Sequence, residues 1–208
     1  MPLHTWLIFV PACFALNMAF GPNNLLALTN AARGGALRAI IAAQGRNLAF
    51  AVMIAITAVG LGALLAASAA AFTVIKVIGA AYLFYLGIRL LLARAPSIIA
   101  LDSAPPKSLW QLAGQEFWVA MGNPKAILIF TAFFPQFIVP EHYSASFLIM
   151  GVTFLMLEVV SIALYALLGA RLGPFMRQPA TLRWFNRVSG SMMMAFGLGL
   201  LLAKRPSA

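Results

Sequence analysis

Arg46, Glu116, Lys125 and Glu158 are ionisable side chains set in stretches of sequence that are otherwise almost wholly apolar. In a membrane span a charge costs at least ~2.5 kcal/mol on insertion scales, so such a residue normally faces the bundle interior and has a task there. Glu158 lies nearest the middle of its stretch and suits a group that takes and releases a proton in each transport cycle; the plainer reading is a tie between helices. Glu116 precedes Pro124 by about two helical turns and shares roughly its face; its expected place is the headgroup boundary. Arg46 falls about 10 Å into its span. It is expected to snorkel to the interface, or to pair with Glu158, Glu116 or a substrate carboxylate.

The remaining candidates flank two prolines. Gly21-Pro22-Asn23-Asn24 interrupts the first apolar run, and Asn123-Pro124-Lys125 interrupts the fourth. A proline within a helix removes a hydrogen bond and pushes away the carbonyl four residues back. Pro124 is therefore expected to free the carbonyl of Ala120, and Pro135 that of Thr131. In lipid a freed carbonyl costs several kcal/mol unless something binds it. A cation at a helix start opposes the dipole, so Lys125 is expected either to bind loosened carbonyls near Ala120 or to hold an anionic group. The asparagines offer donors and acceptors beside each break, and the amides after each proline form a positive helix end. Two broken spans in corresponding places point to a transporter with its site between the breaks.

The elements that must position these groups follow from composition. The 208 residues are 63% hydrophobic and 9% charged, against a charged share of ~25% in soluble domains. At about 20 residues per crossing, apolar runs are expected at 3–28 (with Pro11 and Gly21-Pro22 as internal breaks), 39–66, 72–92, 110–139, 144–172 and 185–203. The fold class is thus an all-α polytopic membrane protein of six transmembrane helices. It forms one domain, 1–208, whose halves of about 1–94 and 109–208 are joined by a linker at about 95–108. Gly21-Pro22-Asn23 aligns loosely with Asn123-Pro124-Lys125, and three spans per half make the second half an inverted repeat of the first. Basic residues such as Arg33, Arg38, Arg94, Lys107 and Arg171 gather in alternate links, which places both termini outside. The net charge of +10 has that origin, and nucleic-acid binding is excluded. Met1 to His4 carries no basic n-region, so the first run reads as a retained span.

Asn17, Gln44 and Asn47 are expected to make interhelical hydrogen bonds, and Gly60, Gly62 and Gly79 to mark close helix contacts. A membrane-embedded enzyme would need paired His with Glu, a Ser/Lys pair or paired Asp, and none occurs. Cys13, His4 and His142 are too scattered for a metal site or a disulfide, so no metal and no cofactor are expected. A structural or chaperone-like membrane protein is the remaining alternative.

Gly21-Pro22-Asn23-Asn24-Leu25-Leu26, the stretch Lys76 to Gly87, and Asn123-Pro124-Lys125-Ala126 with Phe130 and Phe134-Pro135-Gln136-Phe137 together resemble the lysine exporter family, in particular its homoserine/threonine-resistance (RhtB-type) branch. The resemblance covers nearly the whole chain, and the Asn-Pro-Lys segment with its trailing Pro-Gln-Phe is its most specific part. It implies an inner-membrane exporter of amino acids or close derivatives driven by the proton motive force. The implied partners are an amino-acid substrate, protons and the lipid bilayer, with a homodimer as a further candidate. Two acidic residues in spans favour a neutral substrate over a dibasic one. Phe20 stands where the family often has proline, which predicts a milder first break. Arg46 stands where a small or apolar residue is expected.

Overall fold

Prolines and glycines decide where the helices begin and end. The computed structural model describes residues 3–67, 69–92 and 107–176, with scattered helical positions between 180 and 198. In order these are α1 (Leu3–Met18), α2 (Pro22–Gly34), α3 (Ala36–Ala67), α4 (Ala69–Leu92), α5 (Leu109–Met121), α6 (Pro124–Leu128) and α7 (Tyr143–Met176). A π-helical turn (Ile129–Phe133) and two 3-10 turns (Phe134–Phe137 and Pro140–His142) join α6 to α7. No strand occurs among the described residues. Ser108 and Gln111 form a reciprocal cap at the start of α5, which satisfies donors the first turn leaves free.

α3 and α7 are each long and apolar enough to cross a bilayer. The pair α1–α2, bent by 59°, and the pair running from α5 through α6 to Phe137, bent by 52°, each pass the same test as one broken span. The first break is the sharper of the two. Pro11 does not break α1, which runs through it. Pro22 and Pro124 each begin a new helix, the position where a missing N–H costs nothing. α7 continues through Gly173-Pro174 to Met176, where a link was expected. The expected linker lies outside the described residues except for 107–108, and so does the expected sixth span except for scattered helical positions. The six-span count and the inverted repeat rest on the sequence pattern.

Side-chain contacts define two ends of the bundle. At one end Trp6 of α1 reaches Thr153 of α7, Tyr143 of α7 donates to the Ala58 carbonyl of α3, and Phe9 packs on Phe133 and Phe137. At the other, Ala31, Ala39 and Ala166 form a cluster, and Arg38 donates to the Lys107 carbonyl at 2.6 Å. Arg33, Arg38 and Lys107 share this second end, as the basic asymmetry predicted.

Helices close on each other through glycine. A Cβ at Gly45 would collide with the Ala113 carbonyl of α5, and one at Gly169 with the Leu28 carbonyl of α2. Gly87 meets Gly190 in the same way. Small residues let backbones approach where no water exists to drive association. Gly60, expected to mark a contact, has open space around it.

Polarity is inverted relative to a water-soluble domain. Val59, Trp118 and Met156 are exposed, whereas Asn17, Asn23, Asn24, Arg46, Glu116, Asn123 and Glu158 are buried. Lipid solvates the apolar outside, and the polar groups must find one another inside.

Candidate functional site

The site grows from the end of α1. The last carbonyls of a helix have no partner within it, and in lipid each needs one. The Leu16 carbonyl accepts from Lys125 Nζ at 3.0 Å. That of Asn17 accepts from Asn24 Nδ2 at 2.8 Å and Ser161 Oγ at 3.1 Å. The Met18 carbonyl takes the Tyr165 hydroxyl at 2.7 Å. Ala19 takes both Lys125 Nζ at 2.9 Å and Asn24 Nδ2 at 3.0 Å. Side chains from α2, α6 and α7 thus cap the broken end of α1. Lys125 serves the opposite break and not Ala120, whose carbonyl takes the Asn123 backbone N–H at 3.0 Å.

Arg46 stands at the centre, with none of its surface exposed. Nη1 donates to Asn24 Oδ1 and to Glu158 Oε1, both at 2.9 Å. Nη2 donates to the Asn23 carbonyl at 3.1 Å. Nε lies 3.1 Å from Glu116 Oε2. That is ion-pair distance, but the N–H is not aligned for a hydrogen bond, and neither Glu116 oxygen has a hydrogen-bond donor among the described residues. Snorkelling is therefore ruled out for Arg46; the guanidinium ties α2, α5 and α7 together from α3. Glu116, expected at the headgroup boundary, is fully buried. With Lys125, the cluster holds two basic and two acidic side chains, a formally balanced set.

The two breaks meet here. Asn123 Nδ2 donates to Asn23 Oδ1 at 2.8 Å, Asn123 Oδ1 caps α6 at Lys125 N, and Asn23 Nδ2 donates to the Glu116 carbonyl at 3.3 Å. Between them lies a cavity of about 10 Å³, room for about one water. It is lined by Asn17, Gly21, Asn23, Asn24, Arg46, Asn123, Lys125 and Glu158, with Phe50, Ala126, Ile129 and Phe154 as its apolar wall. Toward the Trp6 end, Phe50 and Phe154 of its wall stack edge to face with Phe130 and Phe134. Toward the basic end, Phe20 and Tyr165 pack with Ala27 and Leu28.

Of the residues singled out from sequence, Gly21, Asn23, Asn24, Arg46, Asn123, Lys125 and Glu158 line one cavity. Pro22 and Pro124 start the helices that carry them, and Glu116 stands behind Arg46. Asn17 bonds across helices as expected, to the Phe154 carbonyl. Gln44 and Asn47 instead bond within α3. The roles of Tyr165 and Ser161 are not legible in the sequence: a hydroxyl in an apolar run gives no sign of which freed carbonyl it serves. Nothing in the sequence sets Phe50 and Phe154 apart from the other apolar residues of their spans.

The molecule is a helical membrane protein in which two bent spans join at a buried, charge-balanced polar cluster. The chain belongs to the LysE type translocator family, whose model matches residues 14–204. It is 34% identical over 206 residues to an uncharacterized membrane protein of Vibrio cholerae, covering 98% of this chain and 100% of that one. It is 31% identical over 206 residues to the homoserine/homoserine lactone efflux protein of Salmonella typhimurium, covering 98% and 99%. A leucine efflux protein of Salmonella choleraesuis is 30% identical over 161 residues, 76% of this chain and 74% of that one. No solved structure matches.

Proposed function

We propose that this protein is a secondary active exporter of small neutral amino acids in the cell inner membrane, coupled to protons, with its substrate site at the junction of the two breaks. The observation that carries the reading is the balanced cluster of Arg46, Lys125, Glu116 and Glu158, buried where the two bent spans meet. Relatives named for the efflux of homoserine and of leucine support the substrate class. A zwitterion presents one carboxylate and one ammonium, and this cluster offers partners for both. Arg46 and Lys125, with Asn23, Asn24 and Asn123, are assigned to substrate binding, and Gly21, Pro22 and Pro124 to shaping the breaks. Glu158, backed by Glu116, is assigned to proton coupling.

A cavity of about 10 Å³ has no room for an amino acid, so transport requires the site to open first to one side and then to the other. Rocking of one half against the other around a fixed midplane site is the general solution. The aromatic stack at one end and the Phe20–Tyr165 contact at the other are the two closures such a motion would part.

The test compares intracellular and medium amino-acid levels with and without expression, followed by transport in proteoliposomes. A neutral amino acid is expected to leave expressing cells faster. Glu158→Gln keeps the shape and one hydrogen-bonding face. It is expected to retain substrate exchange and to lose accumulation driven by an imposed pH gradient. Undiminished gradient-driven export by this variant would remove Glu158 from the coupling step and direct the same test to Glu116.

A further inference from the structure

Two buried polar atoms of the side chains that line the cavity have no hydrogen-bond partner among the described residues: Arg46 Nε, which faces Glu116, and Asn17 Oδ1. Asn17 is 2% exposed and lines the cavity. Its Nδ2 donates to the Phe154 carbonyl at 3.3 Å. A carbonyl only accepts, so this contact decides which way round the amide lies. Oδ1 is left buried with no donor among the described residues. Its neighbours on the wall are committed: Asn24 Oδ1 to Arg46, Asn23 Oδ1 to Asn123, and Lys125 Nζ to two carbonyls. Asn17 Oδ1 is thus an acceptor left uncommitted on this wall, and it shares the cavity with the Glu158 carboxylate. Phe154 precedes Glu158 by one helical turn on α7, so the two share a face, and Asn17 and Glu158 line the same small space. The cavity has room for about one water.

We propose that Asn17 reads the ammonium group of the exported amino acid, accepting its N–H on Oδ1 beside the Glu158 carboxylate. An ammonium carries three donors and no acceptor, which matches an uncharged acceptor next to an anion. This inference rests on the exporter reading above; it adds the part of the substrate that is recognised and the residue that recognises it. A substrate whose nitrogen is acylated loses both the charge and two donors, and is excluded.

Asn17→Leu keeps the branched shape of the side chain, with some added bulk, and removes the acceptor, while Asn17→Ser is shorter and keeps one. Neither change touches the Asn17 backbone carbonyl that Asn24 and Ser161 hold. The full-length protein, reconstituted in liposomes loaded with unlabelled L-homoserine or L-leucine, is assayed for exchange with the labelled amino acid. Asn17→Leu is expected to raise the half-saturation concentration about ten- to hundredfold, the worth of one hydrogen bond to a charged group, with the rate at saturation changed much less. Asn17→Ser is expected to fall between. L-Leucinamide, which keeps the ammonium, is expected to compete against the wild type and to compete at least about tenfold more weakly against Asn17→Leu; N-acetyl-L-leucine is expected not to compete at all. An unchanged half-saturation concentration in folded Asn17→Leu overturns the proposal and leaves Asn17 holding a water only. If the Leu variant does not assemble, an unchanged value in Asn17→Ser overturns it equally. Exchange of neither amino acid by the wild type overturns the exporter reading itself.

Discussion

Asn123 Nδ2 donates to Asn23 Oδ1 at 2.8 Å, and this bond joins the two broken spans at their breaks. Each asparagine also serves its surroundings, Asn123 by capping α6 and Asn23 by holding the Glu116 carbonyl. Removing the Asn123 side chain takes away the cap, worth about 1 kcal/mol, and leaves Asn23 Oδ1 buried without a donor, costing about 1–3 kcal/mol. Asn123→Ala is therefore expected to lower the unfolding midpoint in detergent. The double variant with Asn23→Ala should lose less than the sum of the two. Strict additivity would mean that the bond contributes nothing.

Arg46 is the cation paired with two buried carboxylates. Breaking a buried pair from one side typically costs 3–5 kcal/mol, because a charge is left uncompensated. Arg46→Met alone is expected to reduce the amount of folded protein in the membrane sharply. Adding Glu116→Gln and Glu158→Gln should restore the amount without restoring export. Recovery of neither would mean that Arg46 matters for its shape and not for its charge.

Lys125 offers a cleaner separation of function from folding. When its ammonium is removed, the Leu16 carbonyl keeps the Ala19 backbone N–H, and the Ala19 carbonyl keeps Asn24 Nδ2. Lys125→Ala is expected to leave protein levels within about twofold and to reduce export at least about tenfold, the rate equivalent of about 1.4 kcal/mol. Pro124→Ala should behave likewise, since a proline at the first helical position is readily replaced there. Equal loss of level and export would assign both residues to folding alone.

Gly45 and Gly169 touch carbonyls of neighbouring helices, whereas Gly60 faces open space. Alanine at Gly45 or Gly169 must push two helices apart, and thermal unfolding should register a loss of about 1–3 kcal/mol for each. Alanine at Gly60 should be neutral or stabilise by about 0.5–1 kcal/mol through helix propensity. A Gly45→Ala protein as stable as Gly60→Ala would contradict the packing described.

The basic residues at one end of the bundle predict that this end is cytoplasmic. Reporter fusions after Arg94 and at Ala208 should report opposite compartments, with Arg94 on the cytoplasmic side. Reports from the same side would refute six spans and the inverted repeat together.

Much of this molecule was legible in its sequence because lipid leaves little choice. Apolar length specifies a span, and a proline with its neighbours specifies where a helix must restart. Charges too costly for hydrocarbon must turn inward, which is why Arg46, Glu158, Asn23, Asn24, Asn123 and Lys125 could be named before their contacts were known. What a linear pattern does not encode is which partner each group meets. Lys125 was expected to bind carbonyls of its own break or to hold an anionic group, and it binds carbonyls of the other break. Glu116 looked interfacial because its depth depends on where its span begins, and it is buried against Arg46 of α3. Tyr165 and Ser161 became necessary only when α7 packed against the end of α1, where unpaired carbonyls in lipid must be bound. Asn17 acquired its one free oxygen the same way, once the Phe154 carbonyl had claimed its amide nitrogen. Burial and span boundaries are set residue by residue along the chain, whereas the pairing of polar groups depends on distances between helices, which only the packed bundle determines.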